Sequence, residues 1–153
     1  MTGRQVGEAL RRRRLEAGLT QRQLAAQSGV PQPNIADYEN GRRNPAAETL
    51  ERLDGVLRTP TLERLRAARA PILRAAELRR LSDVRVFGSV ARGSAGSASD
   101  VDLLVHPAPD ASVFDLAGFM AEVEELLGVG VDVVSDRGSG LRMERIKAEA
   151  VAL

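Results

Sequence analysis

Residues 84–105 read VRVFGSVARGSAGSASDVDLLV, and this stretch decides how the rest of the chain is read. Val84, Val86 and Phe87 predict a short strand that stops at Gly88. Gly88-Ser89 is followed by ten residues and then by Asp100-Val101-Asp102, which opens a second predicted strand, Val101–Val105. Side chains two apart on a strand share a face, so Asp100 and Asp102 point one way while Val101 and Leu103 enter a core. A third carboxylate, Asp132, lies in the next predicted strand, Val131–Val134. If that strand neighbours the second, three carboxylates converge, and such a cluster is costly without cations. Oxygen-only ligands at this density suit Mg²⁺ or Mn²⁺ and not zinc. Upstream, a strand, Gly88-Ser89 and a short helix form a phosphate cradle: Gly88 admits the phosphate, and Ser89 with backbone N–H groups supplies donors.

Outward from this stretch, residues 93–99 (GSAGSAS) are expected as a loop, and His106-Pro107 with Pro109 as a turn in which His106 has no partner. Ser112 caps a predicted helix over 113–127, with Phe114, Leu116, Phe119, Val123, Leu126 and Leu127 as its core stripe. Gly128 and Gly130 close it, and 141–151 reads as a last helix. Upstream, Pro71 interrupts a helical stretch over 61–81.

The first part of the chain has helical periodicity throughout. A helix over 4–17 buries Val6, Leu10 and Leu15, with the Arg11–Arg14 run largely outside. Thr20 caps a second helix with Gln23 at the capping-box position, and Gly29 ends it. Pro31 and Pro33 open a third, with Ile35 and Tyr38 facing inward and Asn40-Gly41 stopping it. Asn44 is expected to cap a fourth helix beginning at Pro45. The division expected is 1–58, a helical unit; 59–70, linker or helix; and 71–153, a second domain.

The pattern LTQRQLAAQSGVPQPNIADYENGRRNP resembles the Xre/Cro-type helix-turn-helix family over about residues 6–57. The resemblance implies that the third helix enters the major groove of DNA. Gln32, Asn34 and Asp37 would then face base edges, and Gln21, Asn40, Arg42 and Arg43 would face phosphates. Pro33 stands where many relatives place a polar, base-reading side chain and offers no donor.

The constellation around Gly88 resembles the minimal nucleotidyltransferases of the DNA polymerase β-like superfamily, over about residues 71–153. The resemblance implies an all-α helix-turn-helix domain followed by a small α/β domain with a mixed sheet. It implies that Asp100, Asp102 and Asp132 hold Mg²⁺ or Mn²⁺ and are catalytic, and that Gly88, Ser89 and Arg92 bind the nucleotide, with ATP the expected co-substrate. The family commonly acts as the antitoxin beside a HEPN ribonuclease, moving AMP onto a tyrosine of that toxin. The partners implied are therefore a HEPN-type toxin, operator DNA and an NTP, with a homodimer or a hetero-oligomer as the assembly. A regulator whose second half only senses nucleotide or tethers a toxin, and a small-molecule nucleotidyltransferase, are the alternative readings. The residues after the motif are expected to hold no separate acceptor-binding domain, which disfavours the last.

Bulk properties agree with two units of different role. The chain has 153 residues and a net charge of +1, but residues 1–81 hold 16 Lys/Arg against 9 Asp/Glu, while 82–153 hold 6 against 12. A basic half suits DNA, and an acidic half suits metal ions or a basic partner. There is no Cys, which excludes disulfides and thiolate zinc sites. No apolar run is long enough for a signal peptide or a membrane span, so the expected location is cytoplasmic.

Overall fold

The computed structural model describes residues 2–153. They form two compact units, one reaching to Thr59 and the other running from Pro60 to Leu153.

The first unit is all helical: α1 (Gly3–Glu16), α2 (Gln21–Ser28), α3 (Gln32–Glu39) and α4 (Ala47–Arg58). Thr2 and Thr20 cap α1 and α2 in reciprocal capping boxes with Gln5 and Gln23, satisfying backbone donors that a helix start leaves unpaired. Gly29 ends α2 in the left-handed conformation (φ +70°) that favours glycine. The core comprises Leu10, Leu24, Val30, Ile35, Tyr38, Leu53 and Leu57. Helices α1 and α3 cross so closely at Gly7 that a Cβ there would collide with the Tyr38 carbonyl. Three expectations need correction. The helix α4 starts at Ala47 and is not capped by Asn44, whose amide lies against Gly3 at the start of α1. Leu15 is exposed and Val6 only half-buried. Arg14 is buried, because it lies one turn beyond Leu10 on the inward face and finds a carboxylate there.

The second unit begins with α5 (Leu62–Ala67) and α6 (Arg69–Leu78). Pro71 is the third residue of α6, where its missing N–H costs nothing, so the break falls earlier, at Ala68. Residues 59–70 are thus largely helix, and Leu65 is completely buried in this unit's core. Then follow β1 (Leu81–Phe87), α7 (Gly88–Arg92), β2 (Val101–Pro107), α8 (Val113–Leu127), β3 (Val131–Ser135), α9 (Leu141–Glu149) and β4 (Val151–Ala152). The strands form a mixed sheet in the order β3-β2-β1-β4, with β2 parallel to β3 and β1 antiparallel to both β2 and β4.

Alternation along the strands divides the sheet into two faces. Val86, Val101, Leu103 and Val105 pack with Ile72, Ala75 and Ala76 of α6 and Phe119 and Val123 of α8. Phe87 and Leu104 pack on the other face, with Met143 and Ile146 of α9. The expected α/β architecture with a mixed sheet is the one observed.

Several local expectations fail. Phe114 is 83% exposed and Leu126 is also exposed, because the buried stripe of α8 runs through Phe119, Val123 and Leu127 and leaves both to one side. His106 and Pro107 continue β2 and do not form a turn. The last helix stops at Glu149, and the chain then extends into β4. Val151 pairs with Val86 there, a backbone ladder with no local sequence signature.

Candidate active site

Gly88 joins β1 to α7 at φ +72°, and a Cβ there would run into the Asp102 carboxylate. The left-handed conformation favours glycine, and any larger residue would also displace the Asp102 carboxylate. Ser89 follows, half-buried in the first turn of α7. The five-residue helix ends at Gly93, also left-handed, and the Ser94 N–H donates to the Ser89 carbonyl at 2.9 Å as the chain turns back toward β2.

The sheet register brings the acidic residues to this turn. Asp102 is opposite Phe87 on β1 and opposite Asp132 on β3. Register partners on paired strands share a face, so Asp102 and Asp132 stand side by side, one residue before Gly88 in the ladder. Asp100 precedes β2, and the Val101 N–H donates to the Gly130 carbonyl at 2.9 Å, fixing the entry into the strand. A Cβ at Gly130 would strike the Asp100 carboxylate, so this glycine, like Gly88, makes room for an acid.

The electrostatics are those of like charges held close together. Burial pushes the Asp102 carboxyl above the usual aspartate range; Asp132 and then Asp100 push it further, and Arg92 only partly opposes them. The carboxylates are splayed, with Asp102 turned to Gly88 and Asp100 to Gly130. Among the described residues, no three acidic or histidine side chains are already closed around one point. The donor set is oxygen throughout, as Mg²⁺ or Mn²⁺ would require.

Arg92, at the end of α7, donates from Nη1 to both oxygens of Glu149, at 3.0 and 3.1 Å. The Gly88 N–H donates to the same Glu149 carboxylate at 2.6 Å. Sequence reading missed Glu149. It lies 61 residues from Gly88, and the packing of α9 on the sheet with the β4 pairing returns it to the turn. At the opposite end of β2, His106 does have a partner: its Nδ1 is 2.9 Å from Asp136, which also accepts from Arg85 at 2.8 Å. Against the expectation of an unpartnered histidine, β2 extends far enough to set His106 beside the loop after β3.

In the first unit Gln21 and Gln32 open α2 and α3, Asn34 and Asp37 follow along α3, and Asn40, Arg42 and Arg43 lie at and beyond its end. The buried Arg14–Glu39 pair, at 2.5 Å, anchors a chain of hydrogen bonds. Glu39 accepts from the Gln21 amide at 2.9 Å, and Gln21 accepts from the Gln32 amide at 2.9 Å. Gln21 and Gln32 are therefore held together, although the sequence assigned one to phosphate and the other to bases. Burial would raise the Glu39 carboxyl, but its bonds from Arg14 and Gln21 outweigh that and hold it below the ordinary glutamate range. Asn34 meets Arg43 at 3.5 Å and Asp37 meets Arg42 at 3.7 Å, both long and exposed. Asn40 caps the end of α3 and is exposed, as are Arg42 and Arg43.

Known proteins match both units. The helix-turn-helix family matches residues 10–64, and the nucleotidyltransferase domain family matches residues 72–151. A protein of Methanocaldococcus jannaschii named "Putative protein adenylyltransferase" is 40% identical over 67 residues, which are 43% of this chain and 72% of that protein. An uncharacterized HTH-type transcriptional regulator of Sinorhizobium fredii is 46% identical over 48 residues, 31% of this chain and 62% of its own. A solved "Structure of putative minimal nucleotidyltransferase" is 44% identical with a TM-score of 0.56, covering 61% of this chain and 97% of its own. Among the described residues, no helix is long and apolar enough to cross a membrane.

Proposed function

Because the chain belongs to the nucleotidyltransferase domain family and carries a helix-turn-helix unit ahead of that domain, we propose that it transfers AMP from ATP to a tyrosine of a HEPN-type toxin. In this reading it is the antitoxin of the pair and represses its own operon through the first unit. The observation that carries the catalytic part is the register of Asp102 against Asp132, one residue from the Gly88-Ser89 turn. Asp100, Asp102 and Asp132 would hold Mg²⁺ or Mn²⁺. The ion, when bound, neutralises the triphosphate and stabilises the attacking and leaving oxygens.

The chain's own residues do the rest. Ser89 and Arg92 bind the phosphates, and Gly88 lets them approach the backbone. The acceptor oxygen attacks the α-phosphorus, the bond to the bridging oxygen breaks, and pyrophosphate leaves. Asp132, exposed at the rim, accepts the hydroxyl proton. Tyr38, the one tyrosine here, is buried in the helical core, which argues against self-modification there and supports an acceptor on another protein. The relative's name, a protein adenylyltransferase, supports AMP and a protein acceptor. For the first unit, its basic balance and the exposed Arg42 and Arg43 support operator binding.

Intact mass spectrometry of a HEPN-type partner tests the transfer. Incubation with the chain, ATP and Mg²⁺ should add one adenylyl mass per modified tyrosine. EDTA or Asp102→Asn should abolish the adduct. A partner neutralised by binding while its mass stays unchanged would overturn transfer and leave the second unit as a tether.

A further inference from the structure

Glu149 has no part in the carboxylate set just described, yet it touches both ends of the nucleotide turn. Its Oε1 accepts from the Gly88 N–H at 2.6 Å, and its two oxygens accept from Arg92 Nη1 at 3.1 and 3.0 Å. Helix α7 needs such support. It has five residues, too few to hold a helix by itself, and Phe87, at its N-cap, has no side chain that can accept a hydrogen bond. The position of Glu149 is set from outside the turn: it ends α9, and Val151 two residues later pairs with Val86 of β1.

We propose that Glu149 is a positioning residue of the nucleotide cradle, clamping α7 by its first N–H and its last side chain so that Ser89 and Arg92 meet a nucleoside triphosphate in fixed geometry. This rests on the nucleotide-binding reading of Gly88-Ser89. Arg92 is more than half exposed, and a free guanidinium there samples many rotamers. One nitrogen held by Glu149 leaves the other donors of the fork to face a phosphate. The clamp has a cost of definite sign, since Glu149 adds negative charge beside Asp102. If repulsion of the triphosphate were its main effect, removing it would tighten binding. If clamping is its main effect, removing it weakens binding.

Equilibrium binding of a non-hydrolysable ATP analogue with Mg²⁺ to the full chain decides between the signs. Glu149→Ala should weaken binding roughly tenfold, since it deletes one hydrogen bond to the backbone and one charged pair. Glu149→Gln keeps an acceptor for the Gly88 N–H and should recover part of that, to about threefold weaker. In an Arg92→Ala background, Glu149→Gln should add no further loss, because the two residues act as one unit. In turnover, the loss should fall on the KM for ATP and not on kcat, which general unfolding would not reproduce. Unchanged or tighter binding in Glu149→Gln, with the wild-type chain binding normally, overturns the clamp alone. A wild-type chain that fails to bind the analogue overturns the nucleotide reading with it.

Discussion

Each unit draws a carboxylate out of water, and the two are treated in opposite ways. Glu39 in the helical unit is 2% exposed at its side chain and fully partnered, by Arg14 on both oxygens and by Gln21. Its carboxyl is held below the ordinary range. Asp102 in the sheet unit faces two further aspartates, and its carboxyl is held above the ordinary range. The first charge is satisfied by the fold and keeps the helices in place. The second is only partly offset, by Arg92, and in the function proposed above it would serve a cation and a triphosphate.

The contrast can be broken most severely at the carboxylates. Asp100→Ala combined with Asp102→Ala should lower transfer by a factor on the order of 10³ or more, since metal stabilisation of the displacement contributes several kcal/mol. DNA binding should persist, because the units have separate cores. A pyrophosphate-release assay alongside a gel shift checks both halves.

Next comes the structural pair. Arg14→Met leaves Glu39 buried without its cation and should cost the helical unit about 3–5 kcal/mol, read by chemical denaturation. The pH dependence has a definite sign. With its folded value lowered, Glu39 contributes stability that is present above the unfolded glutamate range and lost as pH falls through the folded value. Arg14→Met should therefore flatten the acid limb of the stability curve.

Smaller effects are expected at the phosphate- and DNA-facing side chains. Ser89→Ala removes one neutral donor to a phosphate and should raise the ATP requirement by about three- to tenfold at nearly unchanged kcat. Gln32→Ala should weaken operator binding by about 1–3 kcal/mol while sparing random DNA. Arg42→Ala or Arg43→Ala should weaken both and reduce the slope of log affinity against log salt by about 0.9 each. Equal loss on operator and random DNA for Gln32→Ala would remove it from base reading.

Legibility in the sequence followed the range of the interaction. Capping by Thr20 and Gln23, the left-handed stop at Gly29 and the strand ending at Gly88 are decided within a few residues, and local pattern finds them. Asp100 and Asp102 follow from the two-residue period of a strand, but their approach to Asp132 depends on β3 lying parallel beside β2 in one register. Glu149 and the paired His106 depend on strand ends that only the assembled sheet defines. Arg14 was hidden in a run of four arginines, where composition suggests solvent and only the helix face selects one for burial. Phe114 failed the other way: it is apolar, but the buried stripe of α8 runs through Phe119, Val123 and Leu127 and leaves it to one side.

On this reading the Asp102 charge serves a ligand and the Glu39 charge serves the fold. Thermal melts of Asp102→Asn and Glu39→Gln, at neutral pH with EDTA and then with Mg²⁺ and the ATP analogue, test it directly. A carboxyl whose folded value is raised costs stability once ionised, a cost relieved as pH falls through that folded value. Asp102→Asn should accordingly melt no lower than wild type in EDTA, while Glu39→Gln melts lower. At about one hundred times its Kd, the Mg²⁺–analogue complex should stabilise the wild-type second unit by ~2.7 kcal/mol and leave Asp102→Asn almost unmoved. An Asp102→Asn protein that is destabilised in EDTA like Glu39→Gln, and still gains the full stabilisation from the complex, would contradict the account.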